Sequence, residues 1–452
     1  MTYTPCTEPD REAMLKAIGV RSLEELFADI PDSARNPVIE LPPPLSEMEV
    51  LAELREVSES NADLDHYACF LGAGAYNHFV PSVVDALISR GEFYTAYTPY
   101  QPEISQGTLQ AIYEYQSMVC RLTGMEVANA SHYDGATALA EAALMAFEVS
   151  RRRKRKVIVA PDIHPEYRQV LHTYARGADL LLRGDEDPQA GLEDLAALID
   201  EDTACVLVQN PNFFGELLAT DCDRGLGGLA SILHEASGLL VVAVDPLSLG
   251  LFKPPGEYGA DIVVGEGQSL GNQVSFGGPY LGLFACRDKY KRKMPGRLAG
   301  ATVDTRGRRG FVLTLATREQ HIRREKATSN ICTNQALCAL AASVYLAVMG
   351  RRGLRQVAEL CYHKAHYAAR QINRLPGFEV QSEQFFKEFV VRCPRSPGEI
   401  NAHLLEQRII GGYDLGRDYP HLADCMLFCV TEMNTREQID RLVKALGEFG
   451  EG

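Results

Sequence analysis

Positive charge is scarce in this sequence. Lysine and arginine total 45 against 60 aspartates and glutamates, a net charge of −15. A nucleic-acid binder needs a basic face to replace phosphate counterions, so this balance argues against that class. The one basic run, "RRRKRK" from Arg151 to Lys156, lies between a helix-like segment and the strand "VIVAP". It reads as a solvated helix end whose cations complement the C-terminal dipole.

Paired cysteines are also missing. Twelve cysteines are scattered without CxxC pairs, and Cys205, Cys286 and Cys429 sit in apolar runs where a free thiol behaves as a small hydrophobe. That excludes a disulfide framework and points to a reducing compartment. No basic-then-apolar leader opens "MTYTPCTEPDREAM", and no membrane association is expected. The expectation is a soluble cytoplasmic protein. HExxH and P-loop motifs are absent, and "GGPYLG" is not a dinucleotide fingerprint. His363 and His366 share a helix face but have no evident third ligand, so they are read as structural and no metal site is expected.

What is present is a chain of 452 residues, long enough for two or three domains. Residues 1–65 form an N-terminal helical arm broken by prolines, where "SEMEVLAELREVSE" opens with a capping box, Ser46 and Glu49. Residues 66–330 alternate helices with short β-branched strands such as "KVIVAP", "ACVLVQNP", "GLLVVAV" and "ADIVV". That pattern predicts an α/β large domain around a mostly parallel sheet, with ligands beyond the carboxyl ends of the strands. Residues 331–452 open with a long helix and continue as a smaller α+β domain.

Four stretches carry candidate chemistry. Asp245 ends the strand "GLLVVAVD", where a carboxylate either holds a protonated heterocyclic nitrogen or caps the turn "DPLS". "TAYTPYQPEISQG" is stiffened by two prolines and offers Tyr97, Thr98, Tyr100, Gln101 and Glu103 to a small polar ligand or a partner, or forms a turn capped by Ser105. In "REQHIRREKATSNICTNQ", Arg323, Arg324 and Lys326 suit an anion, while Thr328, Ser329 and Asn330 suit the N-terminus of the next helix. Finally, "VVGEGQSLGNQVSFGGPYLG" is a strand–loop–strand that in one large enzyme class carries a Schiff-base lysine for pyridoxal phosphate. Here the loop offers Gln268 and Ser269.

Together, "YTPYQPEISQG", "YQSMVCRLTGMEVANAS", "GGPYLGLFA", "PGRLAGATVDTRGRRGF" and "TREQHIRREKATSNICT" resemble the glycine-cleavage P-protein family. The resemblance implies a type I pyridoxal-phosphate-dependent transferase fold and a place as the N-terminal-half homologue, subunit 1 of a split enzyme. It implies that Gln268 or Ser269 stands at a degenerate lysine position, and neither side chain can form an imine. Lys253 and Lys326 are poor substitutes. Pyridoxal phosphate is then held covalently by a homologous lysine-bearing subunit 2 in an α2β2 assembly, with glycine and a lipoylated H-protein as the further partners the resemblance implies. In that assembly Tyr97, Thr98, Tyr100, Gln101 and Glu103 contribute to the partner's active site, and Thr328, Ser329 and Asn330 contact its cofactor phosphate. His132 and Asp245 mark this chain's own degenerate pocket, with a structural role preferred for Asp245. A non-catalytic scaffold, or a stand-alone pyridoxal-phosphate enzyme using another lysine, are the alternatives.

Overall fold

Short runs of valine, isoleucine and leucine build the central sheet. The computed structural model describes residues 5–35, 37, 40–315, 320–327, 329–332 and 335–449. Its main sheet comprises β1 (Val127–His132), β2 (Lys156–Val159), β3 (Leu181–Arg183), β4 (Thr203–Gln209), β5 (Leu239–Val244), β6 (Ile262–Glu266) and β7 (Gly282–Cys286), in the order β1-β7-β6-β5-β4-β2-β3. The five strands from β6 to β3 are parallel, and β7 runs antiparallel to both of its neighbours. Val242 of β5 pairs with Val208 on one side and Val263 on the other. Every residue of β5 is buried, as a strand covered on both faces requires.

Helices α1 (Gln106–Thr123), α2 (Gly135–Val149), α3 (Pro165–Ala178) and α4 (Leu226–Glu235) accompany the sheet. Asp134 starts α2 by accepting a hydrogen bond from the Thr137 N–H at 2.7 Å. Ser105 stands at the N-cap of α1 without a side-chain cap bond, so its hydroxyl does not cap the helix. The basic run ends α2: Arg152 pairs with Glu148, and Lys156 with Asp200.

Helix α5 (Ala336–Ile372) is interrupted at Gly350, φ 58°. By length and composition it contains a window apolar enough to cross a membrane. It serves instead as a core helix: Ala342 and Tyr345 pack in the core around the main sheet, Ala365 and Ile372 in a second core. That second core includes Phe389, Ile400, Phe428 and Leu442. It underlies an antiparallel sheet ordered Glu379–Val380, Glu388–Arg392, Cys425–Cys429, Tyr413–Asp414. Ala68–Cys69 adds a short parallel pairing with Ile409–Ile410, which buries Phe70 fully.

Residues 1–61 form a compact unit separate from 62–452. Its helix Glu47–Ser58 carries the expected capping box, with the Ser46 N–H donating to Glu49 Oε2 at 2.8 Å. Neither α-helix of this unit buries a residue.

Candidate functional site

Three features meet at the carboxyl edge of the main sheet: Asp245 after β5, Glu266 at the end of β6, and Gly135 at the start of α2. Together with Tyr76, Tyr167 and Glu388 they surround a cavity of about 30 Å³, lined by all of them but Gly135. That volume holds a water or two.

Gln268 occupies the loop after β6 and is 1% exposed. Its Oε1 accepts from the Tyr76 N–H at 2.9 Å, and its Nε2 donates to the Tyr76 and Asn272 carbonyls at 3.1 and 2.8 Å. The amide is therefore a structural clamp. Ser269 is buried beside it, with no partner for its hydroxyl among the described residues. Lys253 is exposed and does not line this cavity.

Asp245 is engaged twice. Its Oδ1 accepts from the Leu247 N–H at 3.0 Å, capping the turn, and its Oδ2 lies 2.7 Å from Lys387 Nζ. Lys387 is 1% exposed, and its ammonium stands 3.4 Å from the centroid of the Tyr76 ring. Burial works against the ammonium, but Asp245 and the neighbouring Cys429 and Cys361 together outweigh it and hold the lysine above its ordinary value. Lys387 Nζ also meets His78 Nε2 at 3.1 Å, and His78 Nδ1 meets Glu432 Oε2 at 2.7 Å. Burial and the adjacent ammonium push His78 down. The consistent assignment is a neutral imidazole that accepts from Lys387 and donates to Glu432.

Glu266 accepts three backbone N–H bonds: from Gly135 at 3.0 Å, Gln268 at 2.9 Å and Leu281 at 3.2 Å. Burial raises its carboxyl to about 8 against the pull of those donors. Glu388 accepts from the Ala73 N–H at 2.7 Å and the Tyr76 hydroxyl at 2.8 Å, and burial lifts it to about 7. His132 is fully buried and stacks on Phe284, centroids 4.5 Å apart and planes 11° apart. One face of its ring is thus spent on the core, and burial depresses it to about 3.

The proline-stiffened loop lies elsewhere. Tyr97, Thr98 and Tyr100 line a cavity of about 360 Å³ with Cys332, which precedes α5, and Leu337 in its first turn. Tyr97 is 84% exposed and Tyr100 54%, with Gln101 and Glu103 also exposed. Arg297, 3% exposed, donates to the Tyr100 hydroxyl at 3.1 Å. A second cavity of about 420 Å³ collects Arg292, Lys293, Arg323, Lys326 and Ser329. Arg324 is not in its lining. Ser329 and Asn330 do not cap the following helix as expected, because α5 begins at Ala336 after Gln335. The Ser329 hydroxyl donates instead to Glu141 Oε1 at 2.8 Å, satisfying a buried carboxyl of α2. Asn330 is exposed, and Thr328 lies outside the described residues. His363 and His366 contribute to a shallow surface cavity, and His366 stacks on Phe385.

Sequence reasoning missed Lys387, Glu388, Tyr76 and His78. The available signal was "FKEFVV", two charges at the head of an apolar strand.

The open, mostly parallel sheet with its carboxyl-edge pocket defines a type I pyridoxal-phosphate-dependent fold. A sphingosine-1-phosphate lyase from Burkholderia pseudomallei shares that fold, with a TM-score of 0.65 at 15% identity over 93% of this chain and 94% of its own. A crystal structure of glycine decarboxylase (P-protein) of the glycine cleavage system, in inhibitor-bound form, aligns with a TM-score of 0.89 at 45% identity, covering 99% of this chain and 100% of that one. The family described as glycine cleavage system P-protein matches residues 1–446. A probable glycine dehydrogenase (decarboxylating) subunit 1 from Thermomicrobium roseum is 58% identical over 452 residues, 99% of each chain. The chain belongs to the glycine cleavage system P-protein family, and its similarity runs to members called subunit 1.

Type I enzymes hold pyridoxal phosphate at the carboxyl edge of this sheet. The residues here do not fit it. The space is about 30 Å³, the loop after β6 offers an amide and a hydroxyl but no amine, and Asp245 already has a cation.

Proposed function

We propose that this chain is the lysine-free member of a two-subunit P-protein. With a lysine-bearing subunit 2, in an α2β2 assembly in the cytoplasm, it serves glycine decarboxylation and aminomethyl transfer. Glycine loses its carboxylate as CO2, and its aminomethyl carbon bonds to one sulfur of the lipoyl disulfide on H-protein while the other sulfur leaves as a thiol. Pyridoxal phosphate, held covalently by the partner, supplies the electron sink for that step. The observation that carries this reading is Gln268, clamped at three hydrogen bonds to Tyr76 and Asn272 in a pocket with no room for a cofactor. The isolated chain is accordingly inactive.

In the assembly this chain lends its exposed loop to the partner's site. Tyr97, Thr98, Tyr100, Gln101 and Glu103 supply hydroxyls, an amide and a carboxylate for glycine or the lipoyl arm. The turn at Thr328, Ser329 and Asn330 faces the partner's cofactor phosphate. Arg323 and Lys326 beside Ser329 supply the charge there.

The test is reconstitution. Glycine–bicarbonate exchange and the absorbance of bound pyridoxal phosphate are expected only when this chain is mixed with subunit 2. Tyr100→Phe and Lys326→Ala are expected to lower exchange in an intact complex. Unchanged exchange in both variants would leave this chain a scaffold.

A further inference from the structure

We propose that the cofactor position of this chain is permanently taken by its own side chains. The Lys387 ammonium stands where a protonated ring nitrogen would meet Asp245, and the Glu266 carboxyl stands where a phosphate would meet the N-terminus of α2. The inference rests on the reading that the partner holds the cofactor, and it extends that reading to what replaced the cofactor here.

A phosphorylated pyridinium presents an N–H cation at one end and an anion at the other. Both ends have an internal counterpart. Lys387 Nζ lies 2.7 Å from Asp245 Oδ2, in the place of the cation. Glu266 Oε2 accepts from the Gly135 N–H at 3.0 Å, at the start of a helix of 15 residues. Backbone N–H groups at such a start are a ready phosphate site. The Tyr167 ring packs on Gly135, closing the approach. Between the two ends only about 30 Å³ remains.

Lys387 is not a hidden Schiff-base lysine. The ring nitrogen and the carbon that bears the aldehyde lie at opposite ends of a pyridine ring. An amine bound to the ring-nitrogen carboxylate cannot also reach that carbon. Its pairing with Asp245 keeps it protonated, and a protonated amine is not a nucleophile. Its role is to neutralise Asp245, a half-buried carboxylate that otherwise keeps only the Leu247 N–H.

The experiment is a melting series on the full-length chain with four probes: methylammonium chloride, sodium chloride at equal ionic strength, inorganic phosphate, and pyridoxine 5′-phosphate, which cannot form an imine. Wild type is expected to respond to none of them beyond the effect of sodium chloride. Lys387→Ala is expected to melt lower by about 5 °C or more and to recover with methylammonium but not with sodium. Glu266→Ala is expected to gain stability from inorganic phosphate. Should Lys387→Ala fail to fold, the double variant Asp245→Asn, Lys387→Met carries the test, and it is expected to melt above Lys387→Met alone. The proposal is overturned if pyridoxine 5′-phosphate stabilises wild type and Asp245→Asn abolishes the effect. It is equally overturned if Lys387→Ala melts as wild type does or recovers with neither salt or with both, if Glu266→Ala ignores phosphate, or if the double variant melts no higher than Lys387→Met. Pyridoxal phosphate fixed to the wild-type chain by borohydride would instead overturn the proposed function, separately from the melting series.

Discussion

Arg297 lies under Tyr100, its guanidinium carbon 4.3 Å from the ring centroid and its Nη2 donating to the hydroxyl at 3.1 Å. A buried cation therefore fixes an aromatic ring that is more than half exposed. Arg297 also belongs to the hydrogen-bonded framework of the main sheet, since its N–H donates to the Ser131 hydroxyl at 3.3 Å. Arg297 thus ties the loop that bears the candidate partner contacts to the rigid part of the chain, as does Gln106, which donates to the Pro102 carbonyl at 2.7 Å.

Arg297→Lys keeps the charge but loses the planar fork and the stacking. The expected result is glycine–bicarbonate exchange about tenfold lower or worse in the reconstituted complex, with faster chymotryptic cleavage after Tyr97 and Tyr100. Unaltered cleavage would show that the loop is held by something else.

Stability is expected to fall as pH rises from about 4.5 to about 8. A carboxyl whose folded pKa is raised contributes fully below its unfolded value, and the contribution disappears as pH climbs through the folded value. Burial raises Glu141 and Glu388 from 4.5 to about 7 and Glu266 from 4.5 to about 8. The window thus runs from 4.5 to about 8. Melting temperature against pH checks this, and Glu141→Gln should flatten the slope. His132 acts at the acid end: depressed from 6.5 to about 3 by burial, it contributes fully above 6.5 and its share is lost as pH falls towards 3.

Gly135→Ala is expected to destabilise by about 1–3 kcal/mol. A Cβ there would run into the Tyr167 hydroxyl and stand 3.0 Å from the Glu266 nitrogen. Gly107→Ala is the control, with nothing within 4 Å of its Cβ, and should stabilise helix α1 by about 0.4–1 kcal/mol. Denaturant midpoints of the two variants should move in opposite directions.

All twelve cysteines are free thiols, and Cys222 alone among them is exposed. Iodoacetamide should label Cys222 first, with Cys205, Cys286 and Cys429 modified only on unfolding. Burial pushes the Cys205 and Cys429 thiols far up, which slows them further. Peptide mass mapping over time decides the order.

Much of the fold was legible because its signals are local. The runs "GLLVVAV" and "ADIVV" announce strands buried on both faces, and Ser46 with Glu49 announces a helix start. The glycine-rich loop between β6 and β7 was legible for the same reason. Lys387 was not, because two charges heading a strand ordinarily face solvent, and the partner Asp245 lies far away in the chain. Ser329 misled in the opposite sense. Hydroxyls before a helix suggest a cap, but the buried carboxyl of Glu141 on another helix competes for the hydroxyl and wins. The contact of His132 with Phe284 was not legible, because it requires the sheet pairing of β1 with β7.

Lys387 heads the strand that carries Phe389 of the second core, whereas Asp245 follows Val244 of the first. Their bond therefore crosses the seam between the two cores. An ion pair held between the two layers thus ties the C-terminal sheet to the main sheet at the carboxyl edge of β5.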